Sequence, residues 1–248
     1  MTPEGAVERD RVRTPLSDRD AATVVGILYI VGDVFLIASV PIAASLLSSS
    51  ATLADVNSQP WRLKLGALFV LVPGFALAMI PLVLFPILRR YSERLAVGIV
   101  VFRSGLETVV YLVMAATWLL LVRVADAAAT ASGPDAAALA SIGHTLREMN
   151  DVFYGIVSVF VFSIYALMLN WLFYTSRLIP RWLSVWGLVG AALYLLPPLL
   201  ELMDISWGFL YSLLAVQEIV MAVWLIAKGF TTERAEHSPP AVGLAQPG

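Results

Sequence analysis

Residues 95–122 read LAVGIVVFRSGLETVVYLVMAATWLLLV. This run holds only two charged residues, Arg103 and Glu107, and it exceeds the roughly 20 mostly apolar residues that a helix needs to cross a bilayer. A charge at bilayer depth costs about 2.5–3.5 kcal/mol on translocon-insertion scales, so such a residue faces the interior of a bundle. Arg103 and Glu107 stand at i and i+4, on one helix face within reach of each other. The segment therefore predicts a membrane span with a polar face turned inward.

Working outward, five further runs have the same character: Ala22–Leu47, Leu63–Leu88, Val152–Thr175, Trp182–Leu200 and Trp207–Lys228. The reading is an all-α chain, a six-transmembrane-helix bundle. Composition agrees, with 59% hydrophobic and 14% charged residues, against about 25% charged in soluble domains. Membrane lipid is the expected solvent and partner. A net charge of −2 argues against nucleic acid. The absence of cysteine excludes disulfides, thiolate metal sites and cysteine nucleophiles. His144 and His237 both fall outside the apolar runs, so bis-histidine haem in the membrane is excluded and no cofactor or metal is expected.

Arginine and lysine fix the expected orientation. Eleven lie in the N-terminal tail, the second and fourth loops and the C-terminal tail, against four in the first and third loops. The positive-inside rule then puts both termini in the cytoplasm. Arg outnumbers Lys 14 to 2 beside heavy alanine use, an association with GC-rich bacteria that places the chain in a bacterial inner membrane. Trp61, Trp182 and Trp207 suit interface anchors. Residues 1–21 lack the apolar core of a signal peptide, so they read as a disordered cytoplasmic tail, 22–229 as the membrane domain and 230–248 as a second disordered tail. In the outer loop between spans three and four, Ser132-Gly133-Pro134-Asp135 offers a helix start. It predicts a short amphipathic helix on the outer surface, either a gate or a plain linker. Pro73, Pro81 and Pro86 make span two a candidate broken helix beside a cavity, or simply a kinked one. Gly187 and Ala191 form a small-xxx-small pair suited to close packing.

Two further spans carry buried acids, Asp33 in span one and Glu218 in span six. At about 1.5 Å per residue, Asp33, Glu107 and Glu218 each lie roughly 16–18 Å from the cytoplasmic end of their spans. With a hydrocarbon core of about 30 Å, that is one layer near the midplane. Three acids against one arginine leave net −2 if all ionise. Either some carboxyls hold protons, because burial and like charge disfavour the anion, or a cation supplies the balance. Tyr111 continues the Arg103–Glu107 face and Gln217 adjoins Glu218. Tyr29, Tyr165, Tyr211 and Asn170 are further polar groups at plausible depth. The candidate binding residues are thus Asp33, Arg103, Glu107, Tyr111, Gln217 and Glu218, with protons or a small cationic or polar ligand as the occupant. No catalytic residue is assigned. Glu201 and Asp204 could form an acidic mouth or a solvated loop.

No phosphate loop, zinc-protease helix or dinucleotide fingerprint is present. Ser104-Gly105 lacks the intramembrane histidine of rhomboid-type catalysis, and Gly32-Asp33 lacks the second aspartate of intramembrane aspartyl proteases. Three functions stay open: a proton- or cation-linked transporter or ligand sensor, a structural or regulatory subunit with charges as interhelical locks, and an enzyme acting on a lipid-soluble substrate.

Three segments also carry a family resemblance: Phe102-Arg103-x-x-x-Glu107, the stretch 177–187 (RLIPRWLSVWG), and the stretch 217–229 (QEIVMAVWLIAKG). They resemble bacterial membrane proteins grouped as domain of unknown function 4386. The likeness covers most of the chain from span one to Gly229. It implies a single six-helix integral membrane domain without an assigned activity, and supplies no catalytic residues.

Overall fold

The computed structural model describes residues 16–231 apart from 202, 204 and 206. Every element among them is helical, and six helices are long and apolar enough to span a membrane: Asp18–Leu47, Pro60–Leu88, Glu93–Ala128, Gly133–Ser176, Arg181–Glu201 and Leu210–Ala227. These are spans one to six, and the start of span one lies beside the end of span six, where Arg19 reaches the Ile226 and Ala227 carbonyls.

Local chemistry sets the boundaries. The Ser17 side chain accepts from the Asp20 amide, starting span one four residues earlier than expected, so residues 18–21 are helical rather than tail. Thr52 and Asp55 form a reciprocal capping box on a short helix, Leu53–Ser58, after which Pro60 opens span two. Ser92 caps span three. Arg177 takes the left-handed conformation (φ 56°) that ends span four. At the far end, Phe230 is buried and packs on Phe173, and Thr231 donates its amide to Leu178 O, so these two residues belong to the folded domain. The remaining tail residues and Asp204 lie outside the described residues.

The spans close into a ring. Each packs against the next in sequence, and span six returns to span one. Small residues permit the closest approaches. A Cβ at Gly26 would stand 2.6 Å from Ala222 O on span six, and one at Gly187 would stand 2.1 Å from Asn170 Oδ1 on span four. Arg19 closes the ring at the terminal end by donating to Ile226 O (2.7 Å) and Ala227 O (3.3 Å), carbonyls that a helix C-terminus leaves without intrahelical partners. Trp61, Trp182 and Trp207 are exposed at the span ends, and leucine, valine and isoleucine cover much of the outer surface.

Two elements differ from expectation. Span two is helical throughout, correcting the broken-helix alternative: Pro73, Pro81 and Pro86 all sit inside an uninterrupted helix. Span three satisfies neighbouring backbone, with the Ser104 hydroxyl donating to Ala78 O (2.6 Å) and the Thr108 hydroxyl to Gly74 O (3.2 Å). The outer helix does begin after Ser132, but it is 20 residues long and runs through a π-helical turn, Phe153–Val157, into span four. The combined 44 residues would reach about 66 Å at 1.5 Å per residue. The excess packs on the loop side, where Arg147 donates to Leu46 O (3.2 Å) and Trp118 donates to Asn150 Oδ1 (2.7 Å).

Candidate functional site

Span three departs from α-helical winding over Val100–Glu107, which is π-helical. A π stretch pairs i with i+5, so its turn is wider and residues four apart stand more nearly above one another. Arg103 and Glu107 occupy that stretch. One guanidinium nitrogen, Arg103 Nη1, donates to both carboxylate oxygens of Glu107, at 2.6 and 2.7 Å. Glu107 Oε1 also accepts from the Tyr111 hydroxyl at 3.2 Å. The other terminal nitrogen, Arg103 Nη2, faces Glu218 Oε1 across the ring at 3.7 Å, an ion pair without a hydrogen bond.

The guanidinium sits among aromatic rings. Its Cζ lies 4.6 Å from the Tyr165 ring centroid, 5.0 Å from that of Phe162 and 5.9 Å from that of Tyr29. Arg103 is 2% exposed and Glu107 3%. The Tyr29 and Tyr165 hydroxyls bond to each other at 2.5 Å, and neither residue lines the cavity beside this layer. Such stacking favours guanidinium over ammonium, since its planar, weakly hydrated head packs on ring faces.

On the loop side of this layer lies a cavity of about 120 Å³. All six spans contribute to its lining, with Asp33, Leu77, Arg103, Ser158, Tyr194 and Glu218 as one residue from each. Asp33, Arg103, Glu107, Tyr111 and Glu218 therefore meet at a single space, as the depth arithmetic expects. Their satisfaction is unequal. Glu107 is fully engaged, whereas Glu218 is 8% exposed and accepts no hydrogen bond, and Asp33 Oδ2 is buried without a partner.

Gln217 is elsewhere. Its amide donates to Leu183 O (3.3 Å) and to Asn170 Oδ1 (3.4 Å), at the packing of spans four, five and six. Adjacency in sequence turns a helical side chain about 100°, so Gln217 and Glu218 cannot share a face. Asn170 goes with Gln217, and Tyr211 packs tilted against Tyr194, a lining residue (4.7 Å between centroids, 59° between planes). Ten lining residues had not been singled out from sequence, and four of them are polar or aromatic: Tyr154, Ser158, Phe162 and Tyr194. Depth arithmetic extended to spans four and five would have found Phe162 and Tyr194. The π turn has no proline or glycine pair to announce it.

Among the described residues, no group of three His, Cys, Asp or Glu is placed to hold a metal ion. The three acids thus share a cavity without forming a joint coordination shell.

The model of one protein family, described as a domain of unknown function (DUF4386), matches residues 24–229. That is most of the chain and the whole helical ring, so the chain belongs to this family. No curated protein and no solved structure matches it.

Proposed function

We propose that this DUF4386 membrane protein binds protons or a small cationic or polar ligand at its midplane layer, and couples that binding to transport or sensing. One observation carries the reading. Three carboxylates from three spans share a cavity with a single guanidinium, and only Glu107 is fully paired. A low-dielectric interior opposes that uncompensated negative charge. Protonation or a bound cation relieves it.

In this reading Glu218 and Asp33 exchange protons or receive ligand charge, and Arg103 sets how strongly they do so. Glu107 and Tyr111 hold Arg103 in place. The cytoplasmic position of both termini and a bacterial inner membrane belong to the same proposal, from the arginine distribution. The cavity then faces outward.

Infrared difference spectroscopy of the full chain in lipid nanodiscs tests it. The protonated-carboxyl band should titrate with pH in the wild type and lose amplitude in Glu218→Gln, with insertion and helix content preserved. An identical titration in that variant would remove Glu218 from the site.

A second reading has its own support. The two short bonds between Arg103 and Glu107, both nearly inaccessible, also suit a pair that neutralises itself within span three, with the 3.7 Å contact from Arg103 to Glu218 as an interhelical lock. On that account Arg103→Leu combined with Glu107→Leu preserves both the fold and the wild-type carboxyl titration.

A further inference from the structure

The cavity wall says more about the occupant than the charges alone. Besides the carboxylates, it is lined by four aromatic side chains, Tyr111, Tyr154, Phe162 and Tyr194. Ring faces carry negative electrostatic potential and attract cations, most strongly poorly hydrated ones whose water is lost at little cost. A buried carboxylate beside aromatic rings is the chemistry that recognises ammonium groups. The acids do not form a metal-ligating group, so the cavity is better suited to a diffuse organic cation than to a dehydrated metal ion. Its volume of about 120 Å³ is below that of an engineered cavity of about 150 Å³ that accepts benzene, so it suits a compact ammonium no larger than benzene.

The seam between spans one and six supplies a route. On the terminal side it is closed, with Gly26 against Ala222 O and Ile226. On the loop side it runs through the cavity wall. Ile37 of span one and Ile219 of span six both line the cavity and are also 60% and 41% exposed on the outer surface. Along that seam only single side chains separate the polar layer from acyl chains.

We infer that the occupant is a small organic ammonium, no larger in all than benzene, which reaches the layer sideways from the loop-side leaflet between spans one and six. The inference rests on the cation-binding reading above. The ammonium lies beside Glu218 and Asp33, and its apolar part lies against Tyr194 and Phe162. Arg103, backed by its own aromatic rings, stays paired with Glu107, and the remaining carboxylates, Asp33 and Glu218, disfavour anions.

The test is calorimetric titration of the full chain in nanodiscs with tetramethylammonium and with tert-butanol, a neutral molecule of nearly the same size and shape that serves as its isostere. The ammonium should bind saturably, one per chain, and the isostere should only partition into lipid. Glu218→Gln should weaken ammonium binding about tenfold or more, as expected for loss of a buried charge partner. Ile219→Trp, which plugs the seam from the outside and leaves every charge in place, should weaken or slow it. Should Glu218→Gln fail to fold by thermal unfolding, Tyr194→Leu replaces it, with weakened binding expected and Tyr194→Phe retaining binding. Equal partitioning of both compounds, unchanged by these variants, overturns the ammonium inference. If the carboxyl band still titrates in a Glu218-dependent way, the proton- or cation-binding reading survives that result; if it does not, both fall together.

Discussion

Arg103 is held by three aromatic rings, two hydrogen bonds to Glu107 and a longer contact to Glu218. Removing one partner from a buried pair leaves an uncompensated charge, which costs about 3–5 kcal/mol, whereas removing both is far milder. Arg103→Leu should therefore lower the thermal unfolding midpoint sharply in nanodiscs, and Arg103→Leu with Glu107→Leu should recover most of the loss. Additive losses would mean that the two side chains do not act as a unit. The pairing itself was legible, because i, i+4 spacing and equal depth are arithmetic on a helix. Gln217 was misplaced because nearness in sequence was taken for nearness in space, and one residue of helical rotation points it at Leu183 and Asn170 instead. Tyr165 was named for its depth and Phe162 lies at similar depth, but depth alone does not say which face of span four turns inward, so their packing on the guanidinium was not legible.

At the scale of elements, composition predicted the number of spans and most of their limits, but not the early start of span four or the internal geometry of the helices. Prolines drew attention to span two, yet that helix is continuous, with Ser104 and Thr108 of span three bonding to its carbonyls at Ala78 and Gly74. Ser104→Ala should cost about 0.6–1.7 kcal/mol, the range measured for interhelical hydrogen bonds in membranes, read as a modest drop in unfolding midpoint. The irregular element is span three, whose π stretch is written in residues that any α-helix would accept. Two glycines there and in span five make a contrasting pair. Gly187→Ala puts a Cβ into the Asn170 amide and should destabilise the packing of spans four and five. Gly105→Ala meets nothing within 4 Å and should be neutral or gain up to about 1 kcal/mol from reduced backbone freedom. Thermal unfolding of the two variants side by side checks this, and equal destabilisation would contradict the close contact at Gly187.

For the whole molecule, the short connections 89–92 and 177–180 make spans two and three, and spans four and five, antiparallel neighbours, and the sixth span closes on the first. That closure depends on Gly26 and on Arg19 capping span six. Neither is visible without coordinates, since Arg19 counts in the sequence only as one more charge on its side. The native chain has no cysteine, so single substitutions report sidedness directly. Ser132→Cys should react with a membrane-impermeant thiol reagent from outside the cell, and Tyr91→Cys only once the cytoplasmic face is opened; the reverse pattern would invert the proposed orientation. The central claim is one of charge: the midplane layer holds more acid than its one arginine can balance, a cost retained for binding. Sites kept for function are often less stable than their neutralised variants. The most direct measurement is the thermal unfolding midpoint of Glu218→Gln and Asp33→Asn in nanodiscs, beside Arg103→Leu. Both neutralised acids should melt at or above the wild type while Arg103→Leu melts well below it. If Glu218→Gln is instead as destabilised as Arg103→Leu, Glu218 is a strut of the fold and the layer is not a binding site.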